Sequence, residues 1–310
     1  MCGDCYGAGA GGAAEARAAG AGGRRKRGCV GTALALVALA AAAAVAVLEG
    51  TAGGVSYVGD GWLHECAKWD ADGRRLLVSN FFGAGVSELR TKTKGKEKEE
   101  ERVVLADPDV AVRVALGLTV DAPRGRLLIV YAYRIPRFGY SAVAAYELTS
   151  WCRLFLTRLD GPVCSSKFNV KFKKFRGFLL FENMNRLLSN FVGDSTLADD
   201  VVVDDEGNAY VTDAKGNKMW KVSPEGEPLS VIKNATFSQR PGWINNLVGL
   251  NGIVYHPSGY LLVIHTSGGD LFKVDPKTRS VRVVEVKGSL KAGDGLALLS
   301  PARLWSPPAW

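Results

Sequence analysis

Five positions in this chain stand at the same point of a repeated pattern: Glu65, Gly117, Asp200, Asn251 and Asp294. Four of the five are oxygen donors. Carboxylates brought close together repel, and a hard cation such as Ca2+ relieves that, because it takes several oxygen ligands from Asp, Glu and Asn. Turn chemistry also favours Asp and Asn, so a purely local role is the competing explanation. No His or Cys cluster has zinc spacing, which disfavours zinc. His265 follows the apolar run Tyr260–Ile264. An unperturbed pKa near ~6.5 suits it to carry a proton; its alternative role is that of a polar cap on a strand. Asn80, Tyr131 and Asp213 end their own apolar runs in the same way and are further candidates for a pocket lining. His64 and His256 draw no catalytic role, the first as a neighbour of Glu65 and the second as part of a turn.

The elements that must position these residues are repeated hairpins. Each unit has a polar or small residue, an apolar run, an Asp/Gly-type turn and, in the first four, a second apolar run. The units open at Glu65-Cys66-Ala67-Lys68-Trp69, Gly117-Leu118-Thr119-Val120-Asp121, Asp200-Val201-Val202-Val203-Asp204, Asn251-Gly252-Ile253-Val254-Tyr255 and Asp294-Gly295-Leu296-Ala297-Leu298. The second runs are Leu76–Val78, Leu127–Val130, Ala209–Val211 and Tyr260–Ile264; the fifth unit shows none. Short β-branched runs joined by Gly turns read as antiparallel hairpins. Two units continue into third strands, Lys218–Val222 and Asp270–Val274. The unit starts are 52, 83, 51 and 43 residues apart. A period of 40–50 residues with several strands per unit predicts an all-β fold, a β-propeller. No amphipathic helix lies between the hairpins, which disfavours a parallel α/β fold.

The long interval holds residues 161–193, which lack the turn pattern used elsewhere. They read as an atypical insertion, either translated non-coding sequence or a basic-aromatic docking loop. The charge run Lys92–Arg102 reads as a solvated loop. The chain ends Trp305-Ser306-Pro307-Pro308-Ala309-Trp310. Prolines cannot donate to a ladder, so the last repeat is expected to be truncated.

The N-terminus sets the compartment. Arg24-Arg25-Lys26-Arg27 precedes an uncharged run from Cys29 to Leu48. Twenty helical residues span roughly 30 Å, about one bilayer core. A basic flank stays in the cytosol. The expected organisation is a basic cytosolic tail over 1–28, a transmembrane signal anchor over 29–48 and a lumenal or extracellular propeller over 49–310. Cleavage near Ala44-Val45-Ala46, giving a secreted protein, is the alternative. Asn234-Ala235-Thr236 is a glycosylation acceptor if it reaches the lumen. The cysteines assign no disulfide.

Hydrophobic residues make up 47% of the chain and charged residues 23%, which excludes global disorder. The net charge of +8 is concentrated in residues 1–28 and 161–193. No basic stripe is left on the folded body for nucleic acid.

Glu65 four positions before Trp69-Asp70 resembles the opening Glu-x-x-x-Trp-Asp of the senescence-marker-protein, gluconolactonase and luciferin-regenerating-enzyme superfamily. Asn251-Gly252 and Asp294-Gly295 are similar to its later strand starts, and Asp199–Val222 resembles its uncharacterised plant branch of calcium-dependent phosphotriesterase-like propellers. The resemblance implies six blades, of which five are recognisable here, and Ca2+ in the channel held by Glu65, Asp200, Asn251 and Asp294. Asp200 departs from the family's Asn and adds a negative charge. In the implied hydrolase, Ca2+ is the Lewis acid for a lactone or ester and Asp294 the general base or nucleophile, with His265 as the second proton carrier. Two function classes follow. One is a calcium-dependent lactonase or esterase of the secretory pathway acting on a small-molecule substrate. The other is a non-catalytic propeller that binds a small ligand or protein partner at the channel mouth. A non-functional product of a damaged gene is a third reading.

Overall fold

Runs such as Leu127-Leu128-Ile129-Val130 are apolar at every position because both faces of their sheet are covered. Leu127 and Ile129 pack into one interface with Leu77, Val86 and Leu118. Leu128 and Val130 point the other way and pack with Val201, Val211 and Trp220. Side chains alternate along a strand, so one continuous run serves two interfaces. The pattern recurs: Tyr210 packs with Ile253, Val263 and Phe272, whereas Ile264 packs with Leu271 and Leu296.

In a computed structural model these interfaces separate, among the described residues, four four-stranded antiparallel sheets and a two-stranded one. The structure describes residues 64–90, 101–133, 139–160, 196–239 and 244–306. The chain divides into two compact units, Met1–Ser56 and Tyr57–Trp310, and all described residues belong to the second. The first sheet comprises β1 (His64–Asp70), β2 (Arg75–Asn80), β3 (Val86–Arg90) and β4 (Glu101–Leu105). The second is β5 (Val114–Asp121), β6 (Arg126–Ala132), β7 (Ser141–Glu147) and β8 (Arg153–Arg158). The third is β9 (Ala198–Val203), β10 (Ala209–Asp213), β11 (Lys218–Val222) and β12 (Pro228–Lys233). The fourth is β13 (Leu250–His256), β14 (Tyr260–His265), β15 (Asp270–Val274) and β16 (Val281–Val284). β17 (Ala297–Ser300) and β18 (Arg303–Trp305) form the fifth. Each sheet is a simple meander in chain order. The first strands of successive sheets, β1, β5, β9, β13 and β17, are neighbours of one another. Meander sheets stacked face to face with their first strands innermost are the arrangement of a β-propeller.

The third strands run over Lys218–Val222 and Asp270–Val274, as the apolar pattern predicts. The fifth unit corrects the expectation that it lacks a second strand. β18 pairs with β17 through Ala297–Trp305 and Leu298–Leu304. The ladder fits because Pro301 falls in the turn between the two strands, and Pro307 and Pro308 come after Trp305. The run Lys92–Arg102 is also corrected at its end, where Glu101 and Arg102 open β4. The proposed anchor over 29–48, its cleavage site and the insertion over 161–193 lie outside the described residues. Among the described residues no helix is long and apolar enough to cross a membrane.

The hairpin turns between first and second strands are bolted across sheet boundaries. Arg75 Nε donates to Asp70 at 2.8 Å, and its other nitrogens reach Glu88 at 3.1 Å and the Leu148 carbonyl of the second sheet at 3.0 Å. Arg126 repeats the device one sheet on. It donates to Asp121 at 2.8 Å, to the Gly207 carbonyl at 2.8 Å and to the Pro224 carbonyl. Tyr255 donates to Asp205 at 3.2 Å, linking the fourth sheet to the third. His256 Nδ1 accepts from Ser258 N–H, so its Nε2 carries the proton it gives to the Pro301 carbonyl at 2.9 Å.

Candidate functional site

At the other end of the sheets the ladders are broken in one repeated way. Between the pairs His64–Asn80 and Ala67–Val78, β1 places Glu65 and Cys66 opposite Ser79 alone. Leu116 and Gly117 face Val130, Asp199 and Asp200 face Thr212, and Asn251 and Gly252 face Ile264 in the same manner. Each is a two-against-one β-bulge, which re-aims side chains out of the ladder. The opposing hydroxyl takes up the amide freed in two of them. Cys66 N–H donates to Ser79 Oγ at 2.9 Å, and Asp200 N–H donates to Thr212 Oγ1 at 3.0 Å.

The bulges converge on one pocket. It is lined by Glu65, Cys66, Lys68, Gly117, Asp199, Asp200, Asn251, Asp294, Gly295 and Leu296, drawn from all five sheets or the segment leading into them. Glu65, Asp200, Asn251 and Asp294 therefore share one cavity wall. His265 is not among the lining residues. It is buried at the end of β14, and its Nδ1 accepts the Gly268 N–H at 3.0 Å. Asp213 does the same one sheet earlier, accepting from Gly216 N–H at 2.8 Å. Both cap the turn into the third strand.

The glycines at the second bulge position mark where inner strands touch. A Cβ on Gly117 would strike the side chain and backbone of Asp200, and one on Gly252 would strike the backbone of Asp294 and Gly295. Only glycine permits that approach.

Strand register also locates a residue that counting from strand starts passes over. Asp199, not Asp200, is the structural equivalent of Glu65 and Asn251. Asp200 occupies the position of Cys66, Gly117 and Gly252, and its carboxylate is committed. It accepts Val201 N–H at 2.8 Å and, across the sheet boundary, Ile253 N–H at 3.2 Å. Asp199 has no such partner among the described residues. The signal was present as the doublet Asp199-Asp200, but its meaning requires the partner strand.

The pocket is short of positive charge. Glu65 keeps an exposed edge, yet loss of surrounding water, reinforced by the charges of Asp294 and Asp200, pushes its carboxyl up to about 7. Burial, then the charge of Glu65 and that of Asp294, hold Asp199 well above the usual carboxylate range. Burial raises Asp294 against the 2.6 Å hydrogen bond that it accepts from Asn251 Nδ2. Asp200 is raised by burial and drawn back by Lys68 and by its two N–H donors. Burial works against the Lys68 ammonium, but the negative charge of Asp200 outweighs it and keeps Lys68 above its ordinary value. Cys66 is pushed up to about 12, chiefly by burial, and stays a neutral thiol.

The donor set fits a hard cation in kind: carboxylate and amide oxygens, with no thiolate. In spacing, among the described residues no group of three His, Cys, Asp or Glu side chains stands close enough to hold one metal ion together. Asn251 has spent its Nδ2 on Asp294 and keeps its carbonyl oxygen for a ligand.

No family model matches the chain, and no curated protein matches it. Solved structures do. The major allergen Mala s 1 of Malassezia sympodialis is 16% identical with a TM-score of 0.51, over 79% of this chain and 72% of that one. Luciferin-regenerating enzyme is 11% identical with a TM-score of 0.51, over 82% of this chain and 72% of that one. A protein of unknown function from Bacteroides caccae is 12% identical with a TM-score of 0.45, over 74% of this chain; the chain spans 62% of its length, under two thirds. At these identities the likeness is one of fold.

Proposed function

We propose that the channel pocket binds a divalent hard cation, Ca2+ first, and hydrolyses a small lactone or ester. One observation carries this: Glu65, Asp199 and Asp294 reach a single cavity from two sheets and from the segment leading into a third, with Lys68 the one cation among its described lining residues. Such a cluster raises its own proton affinity unless a cation relieves it. The ligands proposed are Glu65, Asp199, Asn251 and Asp294, with Asp200 as the brace that ties β9 to β13. Binding requires these side chains to close up on the ion. When bound, the cation supplies Lewis-acid polarisation of the substrate carbonyl.

The chain's own residues do the rest. Asp294 takes the proton of an attacking water at a carboxyl that burial has already made more basic. Asn251 holds that carboxyl through its amide. Lys68 places a fixed positive charge on the wall, where negative charge develops in the transition state. His265, a turn cap, has no part in this scheme. The shared fold of luciferin-regenerating enzyme supports a propeller scaffold, and the chemistry rests on the pocket alone. The six-bladed ring, the signal anchor over 29–48 and the lumenal location stay proposals. Glycosylation at Asn234, whose side chain now caps a 3-10 turn by accepting Thr236 N–H at 3.0 Å, tests the location through an endoglycosidase mobility shift.

The test is a thermal melt of the full chain in Ca2+ and in chelator, followed by hydrolysis assays on a lactone and aryl-ester panel. The expected result is a Ca2+-dependent rise in Tm that Glu65→Gln and Asp199→Asn abolish, with turnover lost in Asp294→Asn. A melt indifferent to Ca2+ overturns the cation site. Saturable binding without turnover in the presence of Ca2+ supports the non-catalytic binding module instead.

A further inference from the structure

The loops at the two ends of the sheets differ in what they show to solvent. Outside the strands, four large hydrophobic side chains are exposed among the described residues: Phe82, Val112, Leu247 and Val286. All four stand at the pocket end. Phe82 follows β2, Val112 precedes β5, Leu247 precedes β13 and Val286 follows β16. The described hairpin-end loops expose no large hydrophobic side chain; they present Asp72, Arg74, Asp205, Glu206, Lys277 and Arg279 instead. A single exposed apolar residue needs no explanation, but a distribution confined to one end does.

The surroundings of these tips carry little negative charge. The segments Phe81-Phe82-Gly83-Ala84-Gly85 and Ile244-Asn245-Asn246-Leu247-Val248-Gly249 hold no charged residue. Near Val112, the exposed Asp109 is paired with Arg153 at 2.8 Å. The segment Val286-Lys287-Gly288-Ser289-Leu290-Lys291 is basic, and its two exposed lysines outnumber the exposed Glu285 before it. The four tips come from four separate loops, not from one patch. A protein partner of fixed shape is met by a contiguous, well-packed core of contacts. A lipid surface accepts separate tips at one end of a molecule, apolar side chains entering the interface while lysines meet anionic headgroups. The chain also enters the body at this end. β1 begins at His64, and the uncharged run Cys29–Leu48 ends sixteen residues before it.

We propose that the pocket-end loops dock on an anionic lipid surface, with Phe82, Val112, Leu247 and Val286 as apolar tips and Lys287 and Lys291 as headgroup contacts. This goes beyond the hydrolase reading: it needs neither cation nor turnover. If both hold, the acidic pocket meets its ester at the membrane surface.

The test uses the full chain in chelator and reads amide hydrogen exchange on vesicles of phosphatidylcholine, with and without phosphatidylglycerol. An anchor over residues 29–48 would hold the chain on either vesicle without covering these loops, so the readout is exchange in the loops and not vesicle binding. On vesicles with phosphatidylglycerol, residues 81–85, 110–113, 244–249 and 286–291 are expected to exchange at least about fivefold more slowly, while residues 71–74, 204–208 and 275–280 keep their rates. The triple variant Phe82→Ser, Leu247→Ser, Val286→Ser removes the slowing, and so does the pair Lys287→Gln, Lys291→Gln. All five side chains are exposed, so both variants are expected to keep the Tm. No slowing, equal slowing at both ends, or slowing that does not depend on phosphatidylglycerol overturns the proposal, as does full slowing in either variant. Slowing that grows with protein concentration in the absence of lipid gives the face to a second copy of the chain and overturns it as well. Should a variant fail to fold, the contrast between the two ends and between the two vesicles in the unaltered protein decides. Glu65→Gln, which tests the cation site, leaves the exchange pattern unchanged, so failure of one reading is separable from failure of the other.

Discussion

The two ends of the sheets are built on opposite principles. At the hairpin end, charges are paired and aimed across boundaries: Asp70 with Arg75, Asp121 with Arg126, and each arginine with a carbonyl of the next sheet. At the pocket end, Glu65, Asp199, Asp200 and Asp294 crowd together, and every one of them is raised above its ordinary proton affinity. The first end holds the stack together. The second stores unfavourable electrostatics that a ligand can relieve. Stability and the proposed chemistry are thus separated along the strand axis, a few residues apart in sequence.

The largest effect that could break this contrast is at the hairpin end. Arg126→Met leaves the buried Asp121 with Arg124 alone, at 3.2 Å, and is expected to cost about 3 kcal/mol, read by chemical denaturation. Adding Asp121→Asn should recover part of that loss. A cost under about 1 kcal/mol would show that the bolts are ornamental. At the pocket end the sign reverses. In chelator near pH 8, Asp199→Asn is expected to stabilise the fold by an amount on the order of 1 kcal/mol, while erasing the gain from Ca2+. Destabilisation in chelator would place Asp199 among the structural charges.

The dependence on pH sharpens the same point. Glu65 titrates at about 7 in the folded protein, against 4.5 for an ordinary glutamate. Its folded form therefore binds protons more tightly than its unfolded form. That contribution to stability is complete at acid pH below 4.5 and is lost as pH rises through 7. In chelator the protein should become less stable across this window, and Ca2+ should flatten the decline. A rise in stability across the same window would contradict the shift. The smallest effect concerns His265. His265→Ala removes a turn cap and is expected to cost about 1 kcal/mol without moving the Ca2+ midpoint. A change in turnover with an unchanged melt would return His265 to the chemistry.

The central hairpins were legible in the sequence because doubly buried strands leave unbroken apolar runs between glycine turns. The fourth strands were not. Glu101–Leu105 and Pro228–Lys233 lie at the outer edge, half in water, and mix charged, polar and apolar residues without a clean period. The site was legible in its residue types but not in its register. Counting from strand starts assumes one inner residue per outer residue, and the bulge breaks that count by one. This is why Asp200 drew the attention that the geometry divides between Asp199 and Asp200. Leu116, which takes the same slot in the second sheet, was invisible for the same reason.

The extra residue in each inner strand has a consequence for how such a protein changes over time. It belongs to no ladder rung, so its identity is free of the pairing that fixes its neighbours. Glutamate, leucine, aspartate and asparagine all occupy that slot here, on one repeated backbone. A lineage can therefore trade the chemistry of its channel one sheet at a time, by single substitutions that leave the scaffold's register intact. The repeat is a rack of interchangeable positions, and the acidic pocket is one filling of it.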